Sequence, residues 1–125
     1  MIRILIVLCS ALVLVATAFA EADGAWLANV PRREHGRSNP YQGQPEAIDA
    51  GKRLFADHCA QCHGAHAEGI KKRPPLTSER VQQQATSGDL HWLLVNGNLR
   101  RGMPSWAKLP DPQLWQIITY VQTLH

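Results

Sequence analysis

Apolar and polar positions divide this 125-residue chain into stretches with a helical period and stretches with none. Ile4 to Val15 is an apolar run broken only by Cys9 and Ser10. It is short of the roughly 20 residues of a comfortable membrane span. Glu21 to Pro45 is rich in Pro, Gly, Asn and Arg and keeps no sustained period, which predicts an extended arm. Such an arm is either laid over the core by Trp26, Val30 and Tyr41 or left as a mobile tail. Glu46 to His58 is the first convincing helix, opening after Pro45 with acidic residues in its first turn and carrying Ala47, Ile48, Gly51, Leu54 and Phe55 on or beside one stripe. Gly51 lies one turn before Phe55 on the same face. A glycine inside a helix costs about 1 kcal/mol against alanine, so its presence predicts another backbone passing close by.

Beyond a loop from Gly64 to Pro75, a short helix is expected from Ser78 to Ala85. A third is expected to open at Gly88-Asp89, run through Leu90, Trp92, Leu93, Leu94 and Val95, and close at Gly97. The last runs from about Pro112 to Leu124, with Asp111 as its cap. Leu114, Ile117, Ile118 and Val121 form its buried stripe, with Trp115 and Tyr120 at the borders. No segment alternates with period two, so the fold class is all-α.

The first residues change this picture. A basic start at Arg3, the apolar run, and Ala18 and Ala20 around Phe19 read as a secretory signal peptide cleaved after Ala20. The alternative is an uncleaved anchor, the only membrane attachment the sequence suggests. Cys9 would leave with the signal, and Leu8 is too large for the residue before a lipidated cysteine. The division is then 1–20 signal peptide, 21–45 arm and 46–125 folded domain, about 105 mature residues forming one small domain. Thirteen Lys and Arg against 10 Asp and Glu, a net charge of +3, is too mild to argue for nucleic acid.

Candidate chemistry concentrates at Cys59-Ala60-Gln61-Cys62-His63. This spacing is the c-type haem attachment pattern, in which two thiols add to the porphyrin vinyl groups and the adjacent imidazole binds iron. Zinc would need a second Cys pair or a paired-histidine motif, which His66 and His91 do not make. A thioredoxin-type pair would need a βαβ context, and a disulfide closing so short a loop would contribute little. Export and covalent haem attachment form a coherent pair. Met103, in Gly102-Met103-Pro104-Ser105-Trp106, is the candidate for the second axial position, because a Gly- and Pro-bounded turn lets the backbone bend and point a thioether at iron. His58, His66 and His91 are the alternatives. They read respectively as a helix end, an exposed loop residue and a surface position of its helix.

Taken together, these motifs resemble a class I cytochrome c over Glu46 to His125. The resemblance implies a cytochrome c fold with crossing N- and C-terminal helices around one covalent haem c. It pairs Gly51 and Phe55 with Ile117 and Tyr120 at the crossing. It also assigns a carbonyl of Pro74 or Pro75 to accept a hydrogen bond from His63, and leaves Trp106 either against the haem or in the core. A finer similarity, to small cytochromes associated with quinoprotein alcohol dehydrogenases, rests on Asn39-Pro40, Ala50 to Phe55, Gly88-Asp89-Leu90 and Gly102 to Trp106.

With His63 and Met103 on iron no substrate site is left open, so the expectation is an electron carrier and not an enzyme. It would shuttle single electrons in a bacterial periplasm, between a donor such as a quinoprotein dehydrogenase and an acceptor such as a terminal oxidase or another cytochrome. The alternatives are a tightly bound cytochrome subunit of a dehydrogenase or oxidase, and a ligand-binding haem protein with a labile Met103. Lys71, Lys72, Arg73, Arg100 and Arg101 lie in loops expected near the haem edge, where they would steer an acidic partner.

Overall fold

The computed structural model describes residues 25–125. The signal segment proposed for residues 1–20, with Cys9 inside it, therefore lies outside the described residues. Six α-helices follow in order: α1 (Ala25–Ala28), α2 (Arg32–His35), α3 (Pro45–His58), α4 (Ala60–His63), α5 (Ser87–Asn96) and α6 (Asp111–Val121). A π-helical turn, Arg80–Gln84, precedes α5, and a 3-10 turn, Leu99–Arg101, follows it. Among the described residues there is no strand, only one antiparallel bridge between Asn98 and Met103.

The crossing of α3 and α6 is the centre of the molecule. Helix α3 begins with Pro45 in its first turn and buries Ala47, Gly51 and Phe55, spaced four residues apart along one face. Gly51 lies directly against the Gln116 carbonyl of α6: a Cβ placed on it would stand 2.7 Å from the Gln116 carbonyl carbon and 2.9 Å from Tyr120 Cβ. One turn on, the Phe55 and Tyr120 rings meet edge to face with centroids 5.4 Å apart. The close backbone approach expected from Gly51 is therefore present.

Helix α6 departs from its expected stripe. Leu114, Ile117, Ile118 and Val121 are buried, but so are Trp115, Thr119 and Tyr120, so its apolar surface extends beyond one face. Tyr120 is buried against Phe55 of α3, and for Trp115 and Thr119 the reason is the arm. Residues 25–44 are neither extended nor detached: they form α1 and α2, bury Val30 and Asn39, and pack Trp26, Leu27 and Tyr41 on the core. Asn39 Nδ2 donates to Thr119 Oγ1 at 2.9 Å, so the arm covers the side of α6 that α3 leaves open. Helix α2 approaches α5 so closely that a Cβ on Gly88 would lie 2.9 Å from the Glu34 carbonyl carbon.

The segment expected as a helix from Ser78 to Ala85 widens instead into the π turn, closed by Ala85 N–H to Arg80 O at 2.9 Å. Gln82 pins it, its Nε2 donating to the carbonyls of Leu76 (2.7 Å) and Val121 (2.9 Å). Helix α5 opens on a reciprocal cap: Asp89 N–H donates to Thr86 Oγ1, and Thr86 N–H donates to the Asp89 carboxylate. Asp111 is the first residue of α6 and makes no cap. Its carboxylate turns to His91 and to the Trp115 indole.

Candidate functional site

Helix α3 ends by handing the chain to the cysteine turn. Cys59 N–H closes the last turn of α3 on Phe55 O at 2.8 Å, and its carbonyl then accepts from Cys62 and His63 to start α4. Cys59, Cys62 and His63 are all half-buried, and neither cysteine is in a disulfide. Burial, with a smaller contribution from Cys62, pushes the Cys59 thiol up to about 12, so it is a neutral thiol at ordinary pH. Among the described residues, no group of three or more His, Cys, Asp or Glu side chains is placed to hold a metal ion.

His63 suits iron. Burial, reinforced by the charge of Arg73, lowers its pKa and keeps the imidazole neutral, the form that coordinates a metal. Its carbonyl accepts from Gly69 N–H at 2.7 Å, which folds the following loop back onto the turn. The buried Nδ1 of His63 has no hydrogen-bond partner, so the proline carbonyl that the resemblance assigns to it is not bonded there. Pro74 and Pro75 pack their shared peptide against Gly69 instead.

Met103 sits in the loop between α5 and α6. The loop is closed on itself by paired Asn98–Met103 backbone bonds of 2.9 and 3.0 Å, and tied to α5 by Trp106 N–H to Leu94 O at 2.7 Å and by Ser105 Oγ to Val95 O. Gly97 ends α5 at φ +70° and lies against the backbone of Met103, Pro104 and Ser105, where no side chain would fit. Trp106 then returns to α3, its ring 5.5 Å from that of His58, the residue before Cys59, with the Lys108 ammonium 5.5 Å from the indole centroid. The fold thus connects the methionine loop to the cysteine turn through one aromatic contact. Trp92, Leu93, Val95, Met103 and Trp106 are half-buried and lie outside the main apolar cluster. Half-buried apolar side chains, two thiols and a neutral imidazole are the chemistry that would hold a flat apolar ring carrying a metal.

The basic residues divide. Lys71, Lys72, Arg100 and Arg101 are exposed, beside exposed Ile70 and Leu99, whereas Arg73 is half-buried near His63. His66 is exposed, as expected, and His58 stands at the end of α3. The surface position expected for His91 is wrong. The residue is 4% exposed, stacked on Trp115 with centroids 4.2 Å apart, and bonded at both ring nitrogens. The available signal was the run Leu90-His91-Trp92-Leu93-Leu94-Val95, which offers no polar face for a histidine to join.

Comparison with known proteins agrees with this geometry. Residues 46–121 match the family model for cytochrome C oxidase, cbb3-type, subunit III. The cbb3-type cytochrome c oxidase subunit CcoP of Rubrivivax gelatinosus is 35% identical over 81 residues, covering 64% of this chain and 27% of CcoP. Quinohemoprotein alcohol dehydrogenase ADH-IIG of Pseudomonas putida is 32% identical over 95 residues, covering 73% of this chain and 12% of that protein. The chain therefore spans well under a third of the length of either. The crystal structure of cytochrome CL from Methylophaga aminisulfidivorans superposes with a TM-score of 0.60 at 31% identity, covering 69% of this chain and 58% of that one.

Proposed function

Since the chain belongs to the cytochrome c family described by the cbb3-type oxidase subunit III model, and that family binds haem c covalently, we propose that it is an exported monohaem cytochrome carrying single electrons between periplasmic redox partners. One observation carries the assignment to particular residues. Cys59, Cys62 and His63 occupy one turn, all half-buried, and that turn is joined through His58 and Trp106 to the loop bearing the only methionine beyond residue 1. Cys59 and Cys62 would hold the ring by thioether bonds, and His63 and Met103 would bind iron. When bound, the haem supplies a one-electron ferric–ferrous couple. The neutral, soft sulfur of Met103 favours the ferrous state and raises the potential relative to a second histidine. The half-buried apolar residues of α5 would keep water away, which penalises the more highly charged ferric form.

The protein is a carrier and not a catalyst, so its partners are redox proteins. A quinoprotein dehydrogenase as donor is supported by the quinohemoprotein match, and a terminal oxidase as acceptor by the CcoP match. The CcoP match equally favours a second reading, a permanent subunit of an oxidase. Lys71, Lys72, Arg100 and Arg101 would steer an acidic partner, and electron-transfer rates should then fall as salt screens them. No helix among the described residues is long and apolar enough to cross a membrane. Periplasmic localisation rests on the signal-like segment before them.

The test is the absorption spectrum of the protein made in a host with haem-attachment machinery. The oxidised form should show the weak long-wavelength band of a sulfur–iron bond, and Met103→Ala should lose it. A band that survives Met103→Ala refutes the ligand assignment. Stable co-purification with an oxidase through repeated salt washes would favour the subunit reading.

A further inference from the structure

Arg37 of the arm, His91 of α5 and Asp111 at the start of α6 converge on one side of the molecule. Arg37 Nη1 lies 3.0 Å from His91 Nδ1, and His91 Nε2 lies 2.6 Å from Asp111 Oδ1. A guanidinium can only donate, so Nδ1 is the acceptor and the ring hydrogen sits on Nε2, from which Asp111 accepts. The other Asp111 oxygen accepts from Trp115 Nε1 at 2.9 Å, and Arg37 also reaches Glu34 Oε2 at 3.4 Å. Trp115 completes the assembly, stacked on the His91 ring with the Arg37 guanidinium 5.2 Å from its centroid. Residues from three segments are thereby locked with all their polar groups at His91 assigned.

What the assembly encloses gives it a role. His91 and Asp111 flank the segment that contains Met103, so their bond joins the two sides of that loop at its base. Above it, the loop is bonded to α5 through Trp106 N–H to Leu94 O and Ser105 Oγ to Val95 O, and touches α3 through the Trp106–His58 ring contact. A shift of α5 against α6 would carry the methionine with it.

We propose that Arg37, His91 and Asp111 are positioning residues that close the base of the Met103 loop and set how readily the Met103 sulfur leaves iron. This rests on the reading of Met103 as an iron ligand. The arm then has a function at the site although it contributes no ligand: it supplies the donor that holds His91 in one tautomer.

The test uses the haem-loaded protein. His91→Phe keeps a flat ring against Trp115 and removes both bonds, Arg37→Ala removes one from an exposed position, and His91→Gln offers an amide oxygen to Arg37 and an amide N–H to Asp111. Loss of the sulfur–iron band and loss of helical circular dichroism are followed in parallel denaturant titrations, and carbon monoxide binding to the reduced protein is timed. In His91→Phe and Arg37→Ala the band should disappear at lower denaturant than the helices do. Carbon monoxide should bind about tenfold faster, the factor expected from one charge-assisted hydrogen bond. His91→Gln should recover most of the loss. The proposal is overturned if band and helix midpoints move together, or if carbon monoxide rates stay within about twofold of wild type. Arg37→Ala decides the matter if His91→Phe fails to fold. A wild type with no sulfur–iron band, unaltered by Met103→Ala, overturns the ligand reading itself and is recognisable as a different failure.

Discussion

Gly51→Ala adds a single methyl group at the closest approach of two helix backbones. That methyl would lie 2.7 Å from the Gln116 carbonyl carbon and 2.9 Å from Tyr120 Cβ, both of them main-chain or root atoms that no rotamer change can move. Carbon atoms rest at about 3.5 to 4.0 Å, so α3 and α6 must part by about 1 Å. Parting them loosens the Phe55–Tyr120 contact and the layer around Ile117 and Ile118, and overpacking of this kind costs typically about 1 to 3 kcal/mol. The upper figure applies, because the obstruction is backbone. Alanine is favoured over glycine in a helix by about 1 kcal/mol, which offsets part of it. The net is about 2 kcal/mol, or a melting temperature about 8 to 16 °C lower for a domain of this size. Thermal unfolding followed by far-ultraviolet circular dichroism reads this directly. Gly36→Ala is the control: nothing stands within 4 Å of the added methyl and φ is −86°, so its melting point should stay at or rise slightly above that of wild type. A Gly51→Ala protein melting within about 2 °C of wild type would refute the argument, since that corresponds to under 0.5 kcal/mol.

Two further outcomes follow from the same structure. Gly88→Ala drives a methyl into the Glu34 backbone of the arm, so α2 should lift from α5 and break the His35–Asp89 pair while the α3–α6 crossing survives. Limited proteolysis should then cut within residues 25–44 in the variant and spare the rest of the chain. The third concerns acid. Burial alone would raise the Asp111 carboxyl, but the hydrogen bonds from His91 and Trp115 and the charge of Arg37 outweigh it and hold it below its ordinary value of 3.8. A carboxylate whose folded pKa is depressed contributes stability above its unfolded pKa and loses it as pH falls through the folded one. Asp111 is largely exposed, so solvent screens the effect and the loss should be small, confined below about pH 4. Asp111→Asn should flatten that part of the denaturant-midpoint profile and leave the profile at neutral pH parallel to wild type.

Several features of this protein are determined by residues close together in sequence. The Cys59–His63 turn is one, since its chemistry depends on spacing within a single turn of helix. The crossing glycine is another, because a glycine between Ala47 and Phe55 is conformationally costly unless a neighbour requires it. Met103, the proposed iron ligand, stands out in the sequence for a similar reason, bounded by Gly102 and Pro104 with almost no methionine to compete. The tertiary structure alone decided the rest. Trp115 looks like a border position of α6 until Arg37 of the arm and His91 of α5 cover its ring, and the arm carries too little apolar periodicity to announce that it docks. The π turn depends on Gln82 finding the Val121 carbonyl, 39 residues away. His91 sits in an apolar run that hints at burial, but nothing near it in sequence supplies its partners. It is buried because Arg37, 54 residues earlier, and Asp111, 20 residues later, satisfy its two nitrogens, and a buried polar group is tolerable only once such partners are in place.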